Sequence, residues 1–295
     1  LFPKVQDRHK PERPLIPNGL GVFYVLISTI YLFLLQGFQS LNSAVNQNSP
    51  ALNLAVCILF GGFMGLLDDW IDLRWRYKAF LPIFAALPLG VLRQGTPIMS
   101  TYIFGKIDFS QITFWGIHGE MIFYFGVIPL IATVTTNTVN QLGGLNGLET
   151  ICPSIVLIAL MLVSGPDYKV LLYIPLAVYL ILAFFNFQGK IFVGNTGSFA
   201  IGITLASYAI IANIEQTLLI SILPFIFNSS LILINVLFLK RRSRLKMEGN
   251  ILKADHRRSL VTLIAYYHPT TERKLVLIIS LIFVFTTAVA VLVAT

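Results

Sequence analysis

Apolar residues run in nine long stretches along the chain, at about 20–38, 50–68, 78–94, 119–138, 147–165, 169–187, 196–213, 216–239 and 274–294. Each is near the roughly 20 residues that a helix needs to cross about 30 Å of hydrocarbon. Pro82, Pro88, Pro129, Pro153, Pro175 and Pro224 fall inside them and are expected to kink the helices without ending them, because neighbouring helices can satisfy the freed carbonyls. No repeat, low-complexity tract or second domain interrupts the series. The pattern therefore predicts an all-α fold, a polytopic membrane bundle of nine transmembrane helices forming one domain over residues 1–295. The sizeable connection from Gln94 to about His118 alternates, YIFGKIDFSQITFWGI, and is expected to pair as a short hairpin or to lie at the membrane interface.

Composition agrees with a membrane protein. The chain is 56% hydrophobic and only 12% charged, with a mean hydropathy of +0.79, against about a quarter charged in soluble domains. Cys57 and Cys152 sit in or beside apolar runs at no metal or redox spacing and read as packing residues. The net charge of +8 raises the question of nucleic acid, but its distribution answers otherwise. If the nine stretches alternate in direction, Arg93, Lys106 and Lys169 fall on one side and the other 18 of the 21 basic residues on the opposite side. Basic loops are cytoplasmic, so the N-terminal segment and the loop after residue 68 are placed there.

Four polar stretches share that cytoplasmic side. The first is DDWIDLRWRYK, residues 68–78. Asp68 and Asp72 share a face if the helix continues through them, with Asp69 turned about 100° away, a geometry suited to a cation or a polar substrate. The alternative is a solvated basic turn, which accounts for Arg74, Arg76 and Lys78. It leaves unexplained two adjacent carboxylates closing an apolar run, where each resists entry by roughly 2.5 to 3.5 kcal/mol at mid-membrane. The second stretch, TTNTVNQLGGLNGLE, offers Asn137, Asn140 and Asn146 with glycines that let backbone N–H groups approach a ligand. It suits a nucleobase or sugar, or else Asn146 caps the next helix. The third, FNFQGKIFVGNTGSFAIG, places Asn195 and Thr196 at a helix start, as caps or as part of an anion site. The fourth, LKRRSRLKMEGNILKADHRR, is either a polybasic segment drawn to anionic lipid or a phosphate clamp. Together they are the parts for metal-assisted phosphoryl transfer at a membrane surface. A secondary transporter is the competing class. Its sites would lie near mid-membrane on broken helices with paired repeats, whereas these polar groups gather in loops on one side.

DDWIDLRWRYK, NQLGGLNGLE and FVGNTG, in this order and spacing, resemble the polyprenyl-phosphate N-acetylhexosamine-1-phosphate transferases, most closely the eukaryotic and archaeal dolichyl-phosphate N-acetylglucosaminephosphotransferase branch. The likeness runs from Gln6, through QDRHKPERPLIPNGLGV, to the last apolar stretch. It implies ten membrane helices, the first absent from this chain, and an active site facing the cytoplasm from the endoplasmic reticulum of a eukaryote or the cell membrane of a prokaryote. It implies Mg²⁺, with Mn²⁺ as an alternative, and transfer of GlcNAc-1-phosphate from UDP-GlcNAc to dolichyl or polyprenyl phosphate, releasing UMP at the first step of N-glycosylation. Membrane lipid is a further partner, a homodimer is allowed, and nucleic acid is not called for. A bacterial-type undecaprenyl-phosphate sugar-1-phosphate transferase is the alternative within the same chemistry.

Residue by residue, the resemblance gives Asp68 and Asp69 the role of activating the lipid phosphate and organising the site. Asp72 stands where the eukaryotic branch has Asn, and Lys78 matches a phosphate-contacting lysine. Asn140 matches a metal-ligand asparagine, and Asn195 a second metal ligand that is an aspartate in the family. Gly144 and Asn146 lie in the uridine-binding loop, and Phe192 matches an aromatic that stacks on uracil. Lys10 and Asn18 are further implied substrate contacts. Arg241, Arg242 and Arg244 stand for an Arg-His-Arg cluster on the pyrophosphate and sugar, without its histidine. His256 alone does not supply the histidine-rich motif of the bacterial cell-wall members.

Overall fold

The computed structural model describes residues 2–42, 49–101, 105–238, 240 and 243–294. A hairpin of β1 (Lys4–Gln6) and β2 (Leu15–Pro17) leads into α1 (Gly21–Asn42), followed by α2 (Pro50–Ile71) and α3 (Trp75–Val91). A second hairpin, β3 (Ile98–Thr101) with β4 (Gly105–Asp108), and a two-residue pair, β5 (Thr113–Phe114) with β6 (Ile117–His118), fill the next connection. The hairpin expected from the alternation between residues 94 and 118 is thus present.

The chain continues as α4 (Gly119–Ile122), a π-helical turn over Phe123–Val127 and α5 (Ile128–Gln141), then α6 (Leu148–Val163). Next come α7 (Pro166–Lys169), α8 (Tyr173–Phe187), α9 (Gly194–Ile211), α10 (Glu215–Ser221) and α11 (Leu223–Leu237). A hairpin of β7 (Lys246–Glu248) and β8 (Ile251–Lys253), then α12 (Leu260–Tyr267) and α13 (Glu272–Ala294), complete it.

Helix forms in all nine apolar stretches, and the protein is an all-α membrane protein. Among the described residues five helical segments are long and apolar enough to cross a membrane: Gly21–Leu41, Pro50–Ile71, Gly119–Gln141, Pro166–Phe187 and Glu272–Ala294. A sixth arises if α10 and α11, bent by 56° to each other, form one broken span. Pro224 enters the first turn of α11, where its missing N–H costs nothing, so at this proline the chain breaks the helix and starts another. Pro82, Pro88 and Pro153 lie inside continuous helices, as expected.

The bundle is built around α9, whose residues from Thr196 to Ile211 are all buried. A helix apolar on every side belongs at the centre. The neighbours α2 and α5 come close at glycines: a β-carbon on Gly65 of α2 would lie 2.2 Å from the Asn195 carbonyl oxygen and 2.6 Å from Thr196 Cα, and one on Gly202 of α9 would lie 2.7 Å from Thr136 Cα of α5. The approach at Gly65 brings the C-terminal turn of α2 against the first turn of α9.

Candidate active site

Asp69, in the last turn of α2, reaches across to α9. Its Oδ1 accepts the Asn195 N–H at 2.9 Å, and its Oδ2 accepts the Thr196 N–H at 2.9 Å and the Thr196 hydroxyl at 2.8 Å. The first N–H groups of a helix have no intrahelical acceptor and carry partial positive charge, so a carboxylate placed there is strongly favoured. This corrects the capping expected of Asn195 or Thr196: Val193 holds the cap position without a side-chain bond, and the cap comes from another helix.

Asp68 is 2% exposed. Its Oδ1 accepts from Lys78 Nζ at 2.7 Å and from the Leu73 N–H at 3.0 Å, while its buried Oδ2 has no partner among the described residues. Asp72 does not share this face. The helix ends at Ile71, Asp72 turns to a left-handed φ of 44°, and its side chain is 99% exposed, 3.5 Å from Lys78. A short polar side chain tolerates that conformation better than a bulky one, which is why an aspartate can stand there.

The sequence-implied metal residues meet: Asn140 Nδ2, at the end of α5, donates to Asn195 Oδ1 at 2.9 Å and to Ser198 Oγ at 2.7 Å. Asn18 joins them from the loop after β2, since a β-carbon on Gly194 would fall 2.7 Å from Asp69 Oδ2 and 3.1 Å from Asn18 Oδ1. Phe192 is fixed by its backbone, its N–H donating to the Pro17 carbonyl at 2.9 Å and its carbonyl accepting from the Leu20 N–H at 3.1 Å.

A second group surrounds Asn146. Its N–H donates to Glu272 Oε1 at 2.8 Å, and its Nδ2 donates to Asp7 Oδ2 at 2.7 Å and to Glu272 Oε1 at 3.0 Å. Lys10 Nζ lies 3.2 Å from Asp7 Oδ2 and 3.5 Å from the Gly189 carbonyl. Helix α6 begins after Gly147, so Asn146 does not cap it. Gly144 has φ +109° with open space where a side chain would be, so conformation alone calls for glycine there. Asp7, His9 and Glu272 bring possible ligand atoms within 4.8 Å of one another, but the Lys10 ammonium and the Asn146 amide hydrogens already compensate the carboxylates.

Arg241 and Arg242 lie outside the described residues. Arg244 is exposed, and its N–H donates to His256 Nε2 at 3.1 Å, which requires an unprotonated nitrogen. Partial burial, then Arg258 nearby, hold the His256 pKa below the ordinary histidine value, in keeping with that bond.

Spacing within the sequence did not reveal Asp7, Glu272, Ser198 or Asn186. Asn186 Oδ1 accepts the Gly147 N–H at 2.8 Å and its Nδ2 donates to the Ile191 carbonyl at 2.8 Å, tying the asparagine-glycine loop to the segment before α9. A buried asparagine inside an apolar run was the available signal.

Comparison with known proteins follows the same residues. A family model described as Glycosyl transferase family 4 matches residues 51–213, which include Asp68, Lys78, Asn140, Asn146 and Asn195; the chain belongs to this family. It is similar to a Saccharolobus solfataricus protein provisionally named UDP-N-acetylglucosamine–dolichyl-phosphate N-acetylglucosaminephosphotransferase, 33% identical over 230 residues, 75% of this chain and 66% of the relative. The Dictyostelium discoideum protein of that enzyme name is 31% identical over 244 residues, 72% of this chain and 59% of the relative. The phospho-N-acetylmuramoyl-pentapeptide-transferase of Streptococcus uberis is 27% identical over 240 residues, 79% and 70% of the two chains. The chain spans less than two thirds of the length of the two dolichyl-phosphate relatives.

Proposed function

We propose that the protein transfers GlcNAc-1-phosphate from UDP-GlcNAc to dolichyl or polyprenyl phosphate at the cytoplasmic face of a membrane, releasing UMP, the opening step of lipid-linked oligosaccharide assembly. The observation that carries the reading is the meeting, where α2, α5 and α9 converge, of an acidic pair, a lysine and two carboxamides. Family membership and the enzyme names of the relatives support it. The remaining apolar helices, α3, α6 and α9, would complete nine spans when packed against the longer ones.

The two substrates repel each other: one pair of unit charges 4 Å apart costs roughly 4 kcal/mol at an effective dielectric of 20. Lys78, held by Asp68, would offset part of this against a phosphate oxygen. Asn140 and Asn195, whose carboxamides adjoin, would offer the hard oxygen ligands that Mg²⁺ or Mn²⁺ takes, and the buried Asp68 oxygen left without a partner among the described residues would be a further acceptor for such an ion. The metal would neutralise pyrophosphate oxygens. In the reaction an oxygen of the lipid phosphate attacks the sugar-linked phosphorus, and the bond to the UMP oxygen breaks. No base is needed for the attack, because the second pKa of a phosphate monoester is near 6. Asp68 and Asp69 then act by positioning, Asp68 on Lys78 and Asp69 on the start of α9.

Incubation with UDP-GlcNAc and a short dolichyl phosphate, reading UMP and lipid-linked GlcNAc, tests the proposal; absence of both products with purified, folded protein rejects it. The family resemblance leaves one second reading, an undecaprenyl-phosphate acceptor, and the same assay with that lipid separates the two.

A further inference from the structure

The carboxamide of Asn146 is held in one orientation by two acids from distant parts of the chain. Its Nδ2 spends both hydrogens, one on Asp7 Oδ2 at 2.7 Å and one on Glu272 Oε1 at 3.0 Å. Carboxylate oxygens only accept, so the amide cannot turn over without placing three oxygens face to face. The consequence falls on the other atom. Asn146 is 4% exposed, and its Oδ1 is buried with no hydrogen-bond partner among the described residues. A buried acceptor left unmatched is unfavourable until something donates to it.

The Lys10 ammonium lies near this carboxamide. A β-carbon on Gly189, which has φ +69°, would sit 1.8 Å from Lys10 Nζ and 3.7 Å from Asn146 Cγ, so the ammonium and the carboxamide meet over this glycine. The Lys10 side chain is 31% exposed, with its ammonium 3.2 Å from Asp7 Oδ2 and at the long distance of 3.5 Å from the Gly189 carbonyl, and Asp7 keeps the Asn146 amide as a donor when that ammonium leaves. Its flexible end can swing to an anionic group and open the space above Asn146.

We propose that Asp7 and Glu272 are specificity-determining residues: by locking the Asn146 carboxamide they present a pure acceptor to the ligand base, so the site selects a base with an N–H at that ring position. Uracil carries an imide N–H there, whereas cytosine carries a bare lone pair. The inference rests on the uridine-nucleotide reading above and goes beyond it in assigning the choice of base to two residues that need not touch it. They are positioning residues. With Glu272→Gln or Asp7→Asn, one acid becomes an amide that can itself donate, the Asn146 amide can invert, and its Nδ2 can then donate to the cytosine nitrogen.

The experiment measures binding of UMP and of CMP to the detergent-solubilised full chain by calorimetry, for the wild type, Asp7→Asn and Glu272→Gln, with the unfolding temperature recorded for each. Either near-isosteric variant suffices if the other fails to fold. The wild type is expected to prefer UMP by about tenfold or more, the scale of one buried acceptor left unmatched. That preference should shrink at least severalfold in a folded variant, with CMP gaining relative to UMP. Affinities that fall together, leaving the ratio unchanged, overturn the inference while leaving the uridine reading intact. A wild type that binds neither nucleotide overturns both.

Discussion

Lys78 joins the site through a buried partner, and that changes what its removal does. Its ammonium lies 2.7 Å from the carboxylate of Asp68, whose side chain is 1% exposed, while Lys78 itself is 27% exposed. Breaking such a pair from one side leaves a buried charge unmatched, at about 3 to 5 kcal/mol. Lys78→Ala should therefore lose both turnover and stability, the latter by about 3 kcal/mol in denaturant unfolding. Adding Asp68→Asn should restore much of the stability and none of the turnover. If the double variant regains activity, Lys78 serves only to neutralise Asp68. Asn195 gives a second prediction at this scale. Its Oδ1 already accepts from Asn140 Nδ2, so a carboxylate fits the same bond in Asn195→Asp while adding a charge beside the proposed metal. The Mg²⁺ concentration giving half-maximal UMP release should fall by about tenfold, the equivalent of 1.4 kcal/mol. An unchanged Mg²⁺ requirement would place Asn195 away from the metal.

At the scale of elements, the join between α2 and α9 decides whether the site assembles. Gly65 permits the approach and Asp69 fastens it, four residues apart on one face of α2. In Gly65→Ala the new carbon would meet α9 backbone, which cannot rotate away, so the helices must separate at about 1 to 3 kcal/mol. Thermal unfolding in detergent should fall accordingly, and activity more steeply, because Asp69 is drawn off its N–H groups. Gly37→Ala in α1, where nothing lies within 4 Å, is the control and should be neutral or stabilising. An activity loss equal in the two variants would refute the account.

The limits of the sequence show at the same join. The helices were legible because apolar runs of this length have few other structures available, and the hairpin near residue 100 because strand alternation has a period of two. Asp68 and Asp69 were legible as candidates because carboxylates at the end of an apolar run carry a cost, whereas Asn140 and Asn195 gained a metal role only through the family resemblance. Their pairing was not. Asp69 caps a helix 126 residues away, and Asn146 is held from residues 139 and 126 positions distant, separations at which spacing carries no information. Asp72 was misplaced because the left-handed turn that ends α2 leaves no mark in the apolar pattern.

For the whole molecule, the distribution of charge fixes a testable orientation. The turn after α2, the end of α5 and the start of α9 meet through Asp69, Asn140 and Asn195, so these three helix ends share one end of the bundle. The β7–β8 hairpin follows α11, which is joined at Asn228 both to the end of α5 and to the start of α12. The connection carrying β3 to β6 begins at the far end of α3 and packs beside α10 through the Asn213 side chain, which accepts from Thr96 beyond the C-terminus of α9. In a membrane-spanning bundle the two hairpin regions therefore face opposite aqueous phases. Asn250, in the turn of the β7–β8 hairpin, and Ser110, in the other connection, are both exposed, while the native Cys57 and Cys152 are buried. Single cysteines at these two positions should react with an impermeant maleimide from opposite sides of sealed vesicles. Basic loops remain cytoplasmic, so Asn250→Cys should react from the cytoplasmic side, along with the site. Reaction of both from one side would refute the placing of the two hairpin regions at opposite ends of the bundle.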